Sequence, residues 1–442
     1  MKEMETIRTR IKAAIQTNQQ HFLEELTKIM EVPSVKGQAE VGAPFGKEPR
    51  RALETVLALA ESYGFQTEIV NDAVGFAQYG NDPEYIGVVG HLDVVPAGNG
   101  WDFLPFSLSE QDGRLFGRGI LDNKGPAFAC LYGLKLLKEL DIPLEKTVRV
   151  IFGTDEESGS ADLPLYLAEE QPPIFGFTPD CKYPVVYGER GIVNIELITP
   201  FSEADLSALG AIEGDQAKDH VPDELIVDLK NGQHVEVIGK RAPTNAPELG
   251  VNAITLLAEK LMNEASLAES LKKYFKWVFD SLHEKHYGEG FNLALADEDS
   301  GKLILTPYEL RKTDKELVLS IAIRYPVTFQ EEEIIERVHA IVMAHTEVVI
   351  VRSMKGTNFP KDDPNVLALA EVYEKVTGLD GTPVTTTGAT YARTMPNIVA
   401  FGPSFPGQKG IAHNKNEYMD LNDLLLNLEI YTLALYKLAA KK

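Results

Sequence analysis

Apolar positions recur along this chain with two different periods, and the change of period marks its organisation. Ile7, Ile11, Ala14 and Ile15, then Phe22, Leu23, Leu26, Ile29 and Met30, fall at helical spacing and predict one or two opening helices ending near Pro33. "RRALETVLALAESYG" repeats that pattern, with Gly64 as its stop. "YIGVVGHLDVV" is apolar, rich in β-branched residues and too short for a good helix, so it predicts a buried strand. "GPAFACLYGLKLLKEL" predicts a helix and "KTVRVIFGTDEES" a further buried strand. Unbroken apolar strands alternating with helices indicate an α/β layer with a mostly parallel sheet.

Near Glu189 the pattern changes. "GIVNIELITP", "DELIVDL" and "QHVEVIG" read as closely spaced strands. "ELVLSIAIRYP" alternates, with Leu317, Leu319, Ile321 and Ile323 on one face. "EEEIIERVHAIVMAH" predicts a helix and "EVVIVRS" a strand. Residues 188–357 therefore read as an inserted α+β domain with an antiparallel sheet. The α/β pattern returns from residue 358, with "DDPNVLALAEVYEKVTG" and the closing helix "LNDLLLNLEIYTLALYKLA". The expected architecture is one α/β domain, residues 1–187 and 358–442, interrupted by that insert.

Composition narrows the partners. A chain of 442 residues exceeds one compact core. Its 44% hydrophobic and 25% charged residues are ordinary for a globular protein. Acids outnumber bases 66 to 43, giving a formal charge of -23. Such a surface repels nucleic acid and anionic membranes and suits cations, although many ordinary cytosolic proteins share it. Cys130 and Cys181, the two cysteines, build no disulfide framework. The charged N-terminus has no apolar signal core, and no apolar run is long enough for a bilayer. The expectation is a cytoplasmic protein.

Candidate chemistry collects in the α/β parts. "VVGHLDVVP" supplies His91 and Asp93, "GILDNKGP" Asp122, "GTDEES" Glu156 and Glu157, "FTPDCKYP" Asp180 and "GIAHNKNEYMD" His413. Sites on open α/β sheets form outside the carboxyl ends of the strands, so these groups can converge. Imidazoles with carboxylates suit Zn²⁺, Mn²⁺ or Co²⁺ better than Ca²⁺ or Mg²⁺. A pair of metals needs a bridging carboxylate and about two further ligands each. His91, Asp122, Glu157, Asp180 and His413 supply five such groups. Asp93, two residues beyond His91, is placed to orient its imidazole. Glu156 is left beside a ligand, in the position of a general base. Singly, each has a plainer reading: a local His–Asp hydrogen bond, a turn aspartate, solvated glutamates at a strand end. Five such loops together weaken that reading.

"GHLDVVPAGNGW", "GRGILDNKGP", "GTDEESG", "TPDCKYPVVYGERG", "IRYP", "ATYARTMPNIVAFGPSFPG" and "AHNKNEYM" resemble the co-catalytic zinc peptidase family of aminoacylase-1, carboxypeptidase G and acetylornithine deacetylase. The likeness is nearest to its dipeptidase V (carnosinase-like bacterial dipeptidase) branch and covers most of the chain. It implies a zinc-peptidase-type catalytic domain with an inserted lid, and a metal-dependent hydrolase of dipeptides or small N-acyl amino acids. It implies two divalent ions per chain, zinc first, with manganese or cobalt as alternatives. Asp122 would bridge them, His91 and Asp180 completing one site and Glu157 and His413 the other. Glu156 would be the base, Asp93 the orienting partner of His91, and Arg324 the fork for a substrate carboxylate. A cis peptide after Asp122 and a monomeric or homodimeric state are further implications.

Three positions depart from the family pattern, all in substrate handling. The lid histidine expected in "GKRAPTNAPELGVNA" is Pro243, which has no side-chain donor. Asp219 in "DHVPD" replaces an asparagine, and "TTGAT", with Gly388, replaces a glycine-rich loop. His220 is the first stand-in the sequence offers for the missing histidine. His283 and His286 are expected on an exposed helix face. The alternative reading is a catalytically impaired relative that keeps its metals but has altered specificity or a binding role.

Overall fold

The computed structural model describes residues 2–440. The chain divides into two compact units: residues up to Tyr187, 359–384 and from Gly388 onward form the first, and Gly188–Asn358 with Thr385–Thr387 the second.

The first unit is built on a mixed sheet. Its strands follow the order Gln66–Val70, Val74–Tyr79, Thr147–Gly153, Tyr85–His91, Phe175–Thr178 and Ile398–Phe401, with Val185–Glu189 joining through Val185 and Val186. The four central strands, from 147–153 to 398–401, are mutually parallel, as the unbroken apolar runs predict. Both flanks are antiparallel. The central strands are apolar on both sides because both faces are covered. Along 85–91, Ile86 and Val88 enter one hydrophobic cluster and Tyr85 and Val89 another.

The larger cluster takes in residues of five helices, Lys2–Met30, Lys47–Ser62, Lys124–Glu139, Pro364–Thr377 and Leu421–Ala439. The opening helix is single. Phe22 stacks on Phe128 at 5.5 Å, and Tyr132 packs edge-on to Phe22 at 5.0 Å. Such aromatic pairs contribute about 0.5–1.5 kcal/mol beyond area burial. The strand expected over "KTVRVIFGTDEES" ends at Gly153, and the acids beyond it occupy a turn.

The second unit holds an antiparallel sheet in the order Ile304–Lys312, Glu316–Tyr325, Gly191–Pro200, Glu347–Met354. A smaller antiparallel sheet joins Leu209–Glu213, Glu224–Leu229 and His234–Ile238. Leu317, Leu319, Ile321 and Ile323 enter one core with residues of the helices Ala253–Met262, Glu269–Leu282 and Glu331–His339. His283 and His286 are half-buried beyond the end of the 269–282 helix, not on an exposed helix face. His283 stacks on Phe279 at 4.5 Å and its Nδ1 lies 3.1 Å from Thr255 Oγ1, which holds it inward. Among the described residues no helix is long and apolar enough to cross a membrane.

Candidate metal centre

Three neighbouring parallel strands open on one sheet edge, and their carboxyl ends deliver the site. His91 ends the 85–91 strand, Glu156 and Glu157 lie in the turn after 147–153, and Asp180 follows 175–178. Asp122 precedes the helix Lys124–Glu139 through a cis Asp122–Asn123 peptide. Gly90 permits the approach of strand to helix: a Cβ there would lie 2.7 Å from Ala127 Cβ and 2.8 Å from Asn123 Oδ1. His413 comes from a long loop and has φ 63.

Asp122 stands between the two imidazoles. Its Oδ1 is 3.0 Å from His91 Nε2 and its Oδ2 is 3.0 Å from His413 Nε2. Asp180 Oδ2 is 3.5 Å from His91 Nε2, and Glu157 Oε2 is 3.0 Å from His413 Nε2. Among the described residues, two groupings are tight enough to hold an ion: His91 with Asp122 and Glu157, and His91 with Glu156 and Asp180. In each, one donor atom per residue lies within 4.8 Å of the others. Zinc–ligand bonds of about 2.0–2.1 Å set tetrahedral edges of about 3.3–3.4 Å, close to the 3.0–3.5 Å between these imidazole nitrogens and carboxylate oxygens. The donor set, all oxygen and imidazole nitrogen, fits as well.

The electrostatics show what the centre lacks without a cation. Hydrogen bonds to Asp122 and Glu157 push the His413 pKa up to about 10. Burial alone would lower His91; the Asp180 charge and hydrogen bonds to Asp122, Asp180 and Asp93 outweigh it and hold it well above 6.5. Burial raises Asp122, yet hydrogen bonds from His413 and His91 hold it far below the usual carboxylate range. Burial and the Asp122 charge push Asp180 up to about 7. Burial, then the Asp180 charge, raises Glu156 well above 4.5. Crowded carboxylates thus draw protons onto both imidazoles, where a metal would supply the positive charge.

A metal must displace those protons, because imidazole ligates in its neutral form. The raised pKa of each histidine favours its protonated ring in the metal-free chain, most clearly for His413 at about 10. Raising the pH toward about 10 removes the His413 proton and tightens metal binding; lowering it weakens binding. Calorimetry of zinc binding at pH 7, in two buffers of different ionisation enthalpy, should show net proton release on loading, from His413 and from Asp180, whose carboxyl is pushed up to about 7. Release of none would contradict this protonation state.

Asp93 does more than its spacing suggested. Its backbone oxygen lies 2.9 Å from His91 Nδ1 and its carboxylate Oδ1 3.4 Å away. The carboxylate also accepts the N–H groups of Glu156 and Glu157, each at 3.1 Å. One buried aspartate therefore fixes a prospective ligand and the turn that carries the two glutamates.

Sequence reasoning assigned no role to Glu417 and Arg118. Glu417 is fully buried, and its Oε1 accepts the N–H groups of Gly119, Leu121 and Asp122 at 3.1, 2.9 and 3.1 Å. Its Oε2 accepts Arg118 Nη1 at 2.6 Å, and the Arg118 guanidinium lies 5.2 Å from the centre of the Trp101 ring. Glu417 thereby holds the backbone of Asp122 and anchors the loop of His413. The available signal was its place in "HNKNE", four residues beyond a prospective ligand. Truncating Glu417 to alanine leaves Arg118 buried and unpaired, a change that typically costs about 3–5 kcal/mol. A fall of that size in unfolding free energy, measured by denaturant titration of the metal-free protein, is the expected result.

Arg324, Asp219 and His220 lie in the second unit and Gly388 in the first. Arg324 Nη1 donates to Thr387 O at 2.9 Å, and Gly388 O accepts Arg393 Nη2 at 2.7 Å. His220 Nδ1 is 2.9 Å from Asp219 Oδ1, and its Nε2 is 3.3 Å from Asp215 O. Pro243 pairs with His220 in an antiparallel bridge, so the substituted position and the offered stand-in are neighbours.

The family model for peptidase family M20/M25/M40 matches residues 87–437. YtjP of Bacillus subtilis (strain 168) is 32% identical over 452 residues, spanning 95% of this chain and 97% of its own length. The Beta-Ala-Xaa dipeptidase of Lactobacillus delbrueckii subsp. lactis is 30% identical over 448 residues, spanning 94% and 95%. The crystal structure of human carnosine dipeptidase 1 shares the fold at a TM-score of 0.61, with 16% identity and 98% of each chain covered.

Proposed function

Because this chain belongs to peptidase family M20/M25/M40, we propose that it hydrolyses the amide bond of dipeptides or small N-acyl amino acids at a centre of two divalent metals. The observation that carries the reading is Asp122, with one oxygen 3.0 Å from each of two imidazoles, as a bridging carboxylate requires. His91 and Asp180 would hold one ion, Glu157 and His413 the other. Zinc suits this donor set first, with manganese or cobalt as alternatives. When bound, such ions act as Lewis acids on the scissile carbonyl and lower the pKa of water.

The protein's own groups do the rest. Glu156 takes a proton from the attacking water and returns it to the leaving amine. Its raised pKa suits a group that must both accept and release that proton. Asp93 holds the turn so that Glu156 keeps its direction. Arg324, in the inserted unit, would fork onto the substrate's C-terminal carboxylate. Asp219, His220 and Gly388 are assigned to substrate handling.

The dipeptidase names among the relatives support dipeptides as the substrate class. The scarcity of cysteine supports a cytoplasmic setting. The impaired reading rests on Pro243, Asp219 and the altered "TTGAT" loop; against it, the metal-binding groups and Glu156 are all present. The test is turnover of a dipeptide and N-acyl amino acid panel by metal-free protein reloaded with Zn²⁺, Mn²⁺ or Co²⁺, with metal content measured alongside. Two ions per chain with turnover is the expected result. Two ions without turnover would overturn the hydrolase reading.

A further inference from the structure

Outside the prospective ligand set, one buried carboxylate takes three backbone N–H groups and a tyrosine hydroxyl as its partners. Asp162 is fully buried. Its Oδ2 accepts the N–H groups of Thr154 at 2.7 Å and Asp155 at 3.0 Å, and also the hydroxyl of Tyr391. Its Oδ1 accepts the N–H of Leu163 at 2.8 Å. Tyr391 is itself fully buried, and its ring meets the His91 imidazole edge-on, centroids 6.2 Å apart and planes at 90°. Gly153 makes room for the pair. A Cβ at that position would lie 1.9 Å from Tyr391 Oη and 2.5 Å from Asp162 Oδ2.

These contacts complete a pattern. Asp162 takes the N–H groups of Thr154 and Asp155, and Asp93 takes those of Glu156 and Glu157. Four successive backbone donors are thus claimed by two buried carboxylates. A turn built only to leave a strand has no need of this, because burying a carboxylate is costly and an apolar residue packs as well. The investment makes sense where the direction of the next side chains matters. A misplacement of about 1 Å at a reacting group can cost about 10²-fold in rate.

We propose that Asp162 and Tyr391 form a positioning pair that fixes the turn carrying Glu156 and Glu157 and braces His91 through the ring contact with Tyr391. The pair touches no reacting atom. It acts through the backbone of residues 154 and 155 and through the perpendicular ring contact with His91. This deepens the hydrolase reading and rests on Glu156 as the base.

Tyr391→Phe tests it most cleanly, because it deletes one hydroxyl and keeps the ring against His91. Asp162→Asn is the second variant: an amide in place of the carboxylate turns a donor toward the N–H of Leu163 or of Thr154 and Asp155. Three readouts are taken on each variant: amide hydrogen exchange of Thr154 and Asp155 in the metal-free protein, the visible spectrum of the Co²⁺-loaded protein, and kcat with KM. The expected result for Tyr391→Phe is exchange at those two amides faster by about tenfold or more, an altered Co²⁺ spectrum, and kcat lower by about 10–100-fold with KM nearly unchanged. Exchange and spectrum equal to those of the unaltered protein would overturn the proposal. If Asp162→Asn fails to fold, Tyr391→Phe decides alone. Failure of the base reading shows elsewhere: Glu156→Gln would stay active, while the exchange and spectral effects of Tyr391→Phe would persist.

Discussion

Glu156→Gln is expected to lower kcat for dipeptide hydrolysis by about 10²–10⁴-fold while both metals remain bound. Glutamine keeps the size and shape of the side chain but cannot accept a proton at the working pH. The backbone of residue 156 stays in place, because its N–H is held by Asp93 and the turn before it by Asp162. The structure also offers a competing role. Glu156 forms one of the two candidate ion-holding groups with His91 and Asp180. A ligand and a base predict different companions to the lost activity. If Glu156 is the base, metal content and KM are preserved and only kcat falls. If Glu156 is a ligand, the variant binds fewer ions or binds them more weakly. Metal analysis by mass spectrometry beside steady-state kinetics separates the two, and loss of metal with activity would remove Glu156 from its proposed role.

The second large effect is expected at Asp122. Asp122→Ala removes the carboxylate that faces both imidazoles, and with it the proposed bridge between the ions. Deleting one partner from a buried charged contact typically costs about 3–5 kcal/mol, which corresponds to about 10²–10⁴-fold in metal affinity. Turnover should fall with metal occupancy, and added metal should restore little of it, since the geometry of the bridge is lost. The metal-free variant gives an independent reading. The His413 pKa is pushed up to about 10 first by the hydrogen bond it donates to Asp122 and then by the one it donates to Glu157. Without Asp122, the His413 titration followed by NMR should move down toward the ordinary histidine range. A His413 titration unchanged in Asp122→Ala, or full metal content in that variant, would contradict the bridging assignment.

The two predictions differ in what they owe to the sequence. Glu156 and Asp122 were both legible as acids at loop positions after apolar segments, and the family resemblance assigned their roles. Legibility was high where the signal was local. The 85–91 and 147–153 strands are continuous apolar runs, because each buries both of its faces. The helices 124–139 and 421–439 carry long apolar sequences for the same reason. The insert announced itself by a change of period near Glu189.

Legibility failed where partners are distant in the chain. Glu417 lies 295 positions from Asp122, whose N–H it accepts, and no local pattern links them. Tyr391 is 229 positions from Asp162. Asp93 reads from sequence as a neighbour of His91, yet its carboxylate also claims two N–H groups more than 60 positions away. The antiparallel flanks of the sheet were equally hidden, since an edge strand carries no mark of the direction of its neighbour.

The sequence by itself determined which elements form, that an α/β domain is interrupted by an α+β insert, and which side chains are chemically able to hold a metal. Side-chain type and periodicity are properties of neighbouring residues, so one dimension suffices to read them. Only the tertiary structure decided that Asp122 faces two imidazoles at once and that buried carboxylates hold the turn of Glu156. Hydrogen bonds and Coulomb interactions act over a few ångströms in space, whatever the separation along the chain. Their partners are chosen by the packing of whole strands and helices.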